Sequence, residues 1–235
     1  MAVTKFLTRK TRLDTLIKYI INGEKTEKMM YVSGVNCRPD TAISEMQDTK
    51  KRFDKENGII SYHLIQSFDG KEIFPKKCHE LGLQYAKEIF GEDYELVVAT
   101  HLNTDNVHNH IVVNSVSFKS GNKFYSNRET KDFIRITSDF ICRENGLSVI
   151  KTPWKNKGYY KLYAKNNPYM QLVKKDIDDA IAISYSYKGF VSKLEAKGYY
   201  VSENEDTGII IERDNSYQVV RPHELFGYNY TKEKI

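Results

Sequence analysis

The sequence predicts an α+β fold, an antiparallel sheet covered by helices with a small C-terminal ααββ appendage. Three observations predict it. Alternating, β-branched runs at IISYHLIQSF (59–68), ELVVATHL (95–102) and HIVVNSVSF (110–118) read as strands. Segments with apolar residues at helical spacing lie around them and stop at glycine or Asn-Gly. A short polar loop, Asn103 to Val107, joins the last two strands and suits a hairpin.

Residues 1–12, MAVTKFLTRKTR, are short and basic. Thr11 or Asp14 is placed to cap a helix over LDTLIKYII, with Leu13, Leu16, Ile17 and Ile20 as its apolar stripe. Tyr19 falls off that stripe, beside Arg12 and Thr15, and should be reachable from outside. Asn22-Gly23 ends the helix. Residues 39–57 open with Pro39 and Asp40 and read as a second helix. The strand over 59–68 carries His63. A helix over 76–91 closes at Gly91, and one over 128–145 closes at Gly146. The order βαβ-hairpin-α defines a domain over 1–150.

Residues 151–167 are basic, aromatic and irregular, and read as a linker or arm. In 168–235, YMQLVKKDIDDAIAIS and YKGFVSKLEAKG read as helices, and YYVSENEDTGIIIER and YQVVR as two strands. The ending, YNYTKEKI, has no terminal character, so the chain reads as the N-terminal part of a longer protein.

Composition narrows the class. The 235 residues suit one large domain, or one with an appendage, and 40% hydrophobic residues are enough for a core. A net charge of +5 permits a nucleic-acid partner without demonstrating one. Cys37, Cys78 and Cys142 are odd in number, scattered and form no CxxC pair, which suggests a reducing cytosol. No apolar run approaches the ~18 residues of a membrane span, so a cytoplasmic protein without membrane insertion is expected.

The chemistry lies in THLNTDNVHNHIVVNSVS. His108 and His110 are two residues apart on a strand and point the same way. A hairpin sets His101 beside them. One strand histidine is usually a satisfied core or surface residue. These three are half of the six histidines in the chain, and their spacing converges three imidazoles on one sheet face. Such a set holds one divalent metal with coordination positions open, which favours catalysis over a closed structural site. Asn114 shares that face and is a candidate to steady a ligand or a phosphate, as is His63.

HLNTDNVHNHIVVNSV resembles the third motif of the conjugative relaxases, DNA-nicking mobilisation proteins with a His-hydrophobic-His core. SYHLIQSF resembles their second motif, and RLDTLIKYIINGEKT their first, where the nucleophilic tyrosine lies. The order and spacing look most like the mobilisation nucleases of the MOBP class, over residues 13–150. The resemblance implies that His101, His108 and His110 are metal ligands and Tyr19 the nucleophile, with Tyr31 as the spare. Many relatives have an aspartate where this chain has Asn103, and Asp105 is the nearby carboxylate able to orient a histidine or accept the tyrosine proton.

The implied reaction is site- and strand-specific nicking of an origin of transfer by transesterification. The tyrosine oxygen attacks a DNA phosphate and forms a 5′-phosphotyrosine link. Mn²⁺ or Mg²⁺ is the expected ion. Arg9, Lys10, Arg12, Lys25, Arg128 and Lys131 are candidates to meet the DNA backbone. Lys155, Lys157 and Lys161 alternate with Tyr159 and Tyr160, a mixture suited to phosphates and exposed bases. The implied partners are single-stranded and hairpin DNA at the origin, accessory relaxosome proteins and a type IV secretion coupling protein. The covalent complex would be exported to a recipient cell. Two other classes stay open: a hydrolase in which metal-bound water attacks, and a DNA-binding module without catalysis.

Overall fold

A computed structural model of the chain describes residues 2–149, 164–204, 208–213 and 220–235. The chain divides into two compact units, Met1–Ile150 and Lys151–Ile235.

The first unit runs β1 (Val3–Arg9), α1 (Leu13–Ile20), β2 (Val32–Val35), α2 (Ala42–Arg52), β3 (Ser61–Ser67), α3 (Pro75–Phe90), β4 (Leu96–His101), β5 (His108–Asn114) and α4 (Arg128–Glu144). Its five strands form one antiparallel sheet in the order β1-β3-β5-β4-β2. The period-2 alternation of the strands divides the core. Leu64, Val98, Ile111 and Val113 pack with Leu81 and Tyr85 of α3 and Ile134 of α4. Val97, Ala99 and Val112 face the other way, onto Leu13, Ile17 and Ile20 of α1 and Met46 of α2. Helices therefore cover both faces, as an α+β sandwich requires.

The ends of the helices follow local chemistry. Pro75 opens α3, and Gly91 closes it at φ 60°. Asn127 and Thr130 form a reciprocal capping box on α4. Neither expected residue caps α1. Its N-cap is Arg12, in the left-handed region at φ 61°, while Asp14 sits in the first turn. There the carboxylate favours the positive end of the helix without a capping bond.

Two strands were absent from the sequence expectation. β1 lies in the basic N-terminal segment, where Lys5 and Arg9 mask an alternation that sends Phe6 inward onto Tyr62, ring centroids 5.1 Å apart. Charged residues are natural there, because β1 is an edge strand. β2 is the opposite edge and has four residues, too few for a periodic signal.

The second unit contains α5 (Pro168–Ala182), α6 (Tyr187–Glu195), β6 (Tyr199–Asn204), β7 (Gly208–Arg213) and α7 (Pro222–Phe226). The ααββ order stands, but the strands are placed differently. Both come from YYVSENEDTGIIIER, paired as a hairpin. Of YQVVR, Val220 forms a single bridge to Ile211, and residues 217–219 lie outside the described residues. Among the described residues no helix is long and apolar enough to cross a membrane.

Candidate active site

The β4–β5 register sets His101 directly opposite His108, and His110 opposite Ala99. The imidazole centroids are 4.3 Å apart for His101 and His110, 5.0 Å for His108 and His110, and 5.3 Å for His101 and His108. One nitrogen from each ring lies within 4.8 Å of the others.

The hydrogen bonds assign the nitrogens. A carbonyl only accepts, so His101 donates from Nε2 to Ile20 O at 2.8 Å and keeps a lone pair on Nδ1. His108 donates from Nδ1 to Asn106 O at 2.9 Å, which leaves Nε2. His110 Nδ1 is engaged by His63 Nε2 at 2.8 Å, and His110 Nε2 is buried with no partner. Burial holds His110 uncharged, its pKa pushed down to about 2, with the charges of the neighbouring histidines adding to the effect. Burial, then the Arg9 charge, pushes His63 down to about 4. Burial also lowers His101. Uncharged imidazoles, converging nitrogens and an orphaned Nε2 fit a divalent ion.

Tyr19 stands at this cluster. It lies in the last turn of α1, 47% exposed, with its ring edge-on to His101 and His110 at centroid distances of 5.7 and 5.8 Å. The Ile20 carbonyl on His101 ties the end of α1 to the triad. Lys25 Nζ lies 3.7 Å from the Tyr19 ring centroid. Its backbone is fixed by Leu102 N–H, which donates to Lys25 O at 2.9 Å, next to His101. Tyr31 is elsewhere, 6.1 Å from the His79 ring.

Other candidates are placed as follows. His63 is on β3, paired to β5, and stacks on His110 at 5.0 Å and 24°. Arg9, at the end of β1, donates from Nη2 to His63 Nδ1 at 3.4 Å. Asn114 shares the triad's face, but its amide donates to Glu95 Oε2 at 2.6 Å and Met46 O at 3.2 Å, away from the histidines. Asp105 is exposed in the β4–β5 loop, and no hydrogen bond joins it to the triad or Tyr19 among the described residues. Lys10, Arg12, Arg128 and Lys131 are exposed. Lys155, Lys157, Tyr159, Tyr160 and Lys161 lie outside the described residues.

A buried network behind the triad escaped sequence reasoning. Asn109, between His108 and His110, points to the opposite face. It accepts from Thr100 Oγ1 at 2.6 Å and donates to Cys78 O at 2.8 Å and Gln66 Oε1 at 3.3 Å. His79 Nδ1 donates to Thr100 Oγ1 at 2.9 Å, and Ser33 Oγ donates to His79 Nε2 at 2.8 Å. This pins the strand that carries two of the three histidines. Gly82, inside α3, is the sequence trace of it: a Cβ there would meet Asn109 Nδ2 at 2.5 Å. Gly82→Ala should therefore cost about 1–3 kcal/mol of stability by overpacking. Urea unfolding that showed the variant as stable as the parent would refute this close approach.

A family model described as the nuclease domain of MobA/VirD2-like relaxases matches residues 19–147. The chain belongs to this relaxase family. The matched segment takes in Tyr19, His63 and the histidine triad. This relaxase is 35% identical over 214 residues to protein rlx of Staphylococcus aureus, covering 86% of the chain and 64% of that protein. It is 28% identical over 224 residues to the group II intron-interrupted relaxase LtrB of Lactococcus lactis subsp. cremoris, covering 78% of the chain and 40% of LtrB. It is 30% identical over 121 residues to protein TraI of Escherichia coli, covering 46% and 15%. The chain thus spans less than two thirds of the length of these relatives.

Proposed function

We propose that this chain nicks one strand of DNA at an origin of transfer, with Tyr19 as the nucleophile. The observation that carries the reading is the half-exposed Tyr19 ring set edge-on against two of three clustered histidines. The Tyr19 Oη–phosphorus bond forms as the bond from phosphorus to the 3′-oxygen breaks. The products are a 5′-phosphotyrosine and a 3′-hydroxyl, which takes up a proton. The phosphodiester is conserved in the link, so the 3′-hydroxyl of an arriving strand can reverse the step.

The protein's own groups set up this attack. α1 fixes the ring through Ile20, and the Lys25 ammonium over it favours negative charge on the phenol oxygen as the proton departs. His101, His108 and His110 would hold a divalent ion, Mn²⁺ or Mg²⁺, which withdraws charge from the scissile phosphate. Arg9, Lys10, Arg12, Arg128 and Lys131 supply cations for the backbone of the flanking strand. Asp105 and Asn114 have no role in this reading. Origin DNA in single-stranded and hairpin form is the substrate, with accessory proteins and a secretion coupling protein as partners of the covalent complex.

The test is incubation with a labelled single-stranded origin oligonucleotide and Mn²⁺ or Mg²⁺, followed by denaturing electrophoresis. A protein–DNA adduct that survives denaturant is the expected result. Cleavage without an adduct would favour attack by water, and binding without cleavage would leave a recognition module.

The basic arm and second unit are assigned to DNA recognition. A fragment ending at Val149 should keep its ion and cleave a short single strand. It should lose origin affinity and have a flatter salt dependence, because fewer phosphates are neutralised. Equal affinities and equal salt slopes for fragment and full chain, measured by fluorescence anisotropy, would reject the assignment.

A further inference from the structure

The contacts behind His110 decide where its proton sits. A guanidinium can only donate, so Arg9 Nη2, 3.4 Å from His63 Nδ1, makes that nitrogen an acceptor. Uncharged His63 then carries its proton on Nε2, and donates it to His110 Nδ1 at 2.8 Å. His110 in turn carries its own proton on Nε2, the buried atom with no acceptor. A protonated ring nitrogen has no lone pair for an ion. The chain Arg9 to His63 to His110 therefore orients every proton against ligation by His110.

Ligation needs the reverse order. His110 Nε2 must be bare, so its proton moves to Nδ1 and is donated to His63 Nε2. His63 must then carry its proton on Nδ1, which faces the Arg9 donor. Two donors at that distance repel. We infer that ion binding at His110 and the Arg9–His63 hydrogen bond exclude one another, so that taking up the ion reverses both tautomers and releases the Arg9 guanidinium to grip the DNA phosphate. Each imidazole gives up a proton at one nitrogen and gains one at the other, so neither changes charge.

The guanidinium is suited to such a release. Its Nε is itself buried without a partner, so His63 satisfies the group only in part. His63 stacks directly on a ligand of the ion, which leaves the freed cation one imidazole from the phosphate-binding centre. A planar fork of donors matches a phosphate in a way His63 does not. Coupling of this kind is mutual: a phosphate that draws Arg9 away tightens ion binding, and the ion tightens phosphate binding. Arg9 is thus a positioning residue that links metal loading to DNA grip. This rests on reading the Tyr19 site as one for phosphoryl transfer.

The test reads binding and tautomers, not nicking. Arg9→Met keeps the apolar stem and removes the donor. Without DNA, it should bind Mn²⁺ about five-fold more tightly than the parent in calorimetry, the loss of one hydrogen bond that must otherwise be broken. Arg9→Lys retains a donor and should stay near the parent. The ion-induced gain in affinity for a single-stranded oligonucleotide should shrink in Arg9→Met. Nitrogen-15 NMR of the parent chain should show His63 protonated on Nε2 after chelation and on Nδ1 when loaded with Zn²⁺. Mn²⁺ affinity that is unchanged or weaker in Arg9→Met overturns the inference. A His63 proton that stays on Nε2 under Zn²⁺ does so as well, and this readout stands if the variant fails to fold. A chain that gave these results but no covalent adduct would refute the nicking reading alone.

Discussion

Tyr19→Phe is expected to abolish the covalent DNA adduct while ion binding and DNA binding stay close to the parent. The substitution removes one oxygen and keeps the ring. The edge-on contacts to His101 and His110, at 5.7 and 5.8 Å, are contacts of the ring, and so is the Lys25 ammonium 3.7 Å above it. With 47% of the residue exposed, the lost hydroxyl leaves no buried hole to collapse. The effect therefore falls on chemistry alone. Mass spectrometry of the parent adduct should place the nucleotide on Tyr19. An adduct on Tyr31 would be unexpected for a ring that sits by His79, and it would move the nucleophile to a different part of the unit. Nicking that persisted in Tyr19→Phe without any adduct would instead support attack by water.

The site divides into a part written in local spacing and a part made by distant pairing. The triad belongs to the first. Two histidines at i and i+2 share a strand face, and a short polar loop returns the chain so that His101 meets His108. The exposure of Tyr19 also follows from its angle on an eight-residue helix. What surrounds them is non-local. Arg9 reaches His63 only because β1 pairs with β3, and β1 reads as a basic tail until that pairing is known. Lys25 reaches Tyr19 through a backbone bond to Leu102. Asn114 shows the opposite failure. Alternation puts it on the right face, yet four residues along a strand carry it out of reach, to Glu95 and Met46. Periodicity fixes a face, while neighbours on that face depend on register and on which helix lies above.

His110→Ala should remove ion binding and adduct formation together, whereas Asn109→Ala, one residue away, should lower stability and spare the ion. The contrast follows from strand alternation. His110 supplies the one triad nitrogen that is buried without a partner, and it stands between His63 and the other two ligands. Removing it leaves two imidazoles and deprives His63 Nε2 of its partner. Loss of a supporting residue behind a ligand typically costs about ten- to a hundred-fold in metal affinity, and loss of the ligand itself should exceed that. Asn109 faces the α3–α4 side, where its amide joins Thr100, Cys78 and Gln66. Its removal leaves those buried groups short of partners, at about 1–3 kcal/mol each. Two measurements separate the effects: the melting temperature without ion, and its rise when Mn²⁺ is added. An ion that binds the folded chain raises the melting temperature by mass action. Asn109→Ala should melt lower but keep the full rise, and His110→Ala should lose the rise. A Mn²⁺-induced rise undiminished in His110→Ala would show that the ion binds elsewhere, and the assignment of the triad would fall with it.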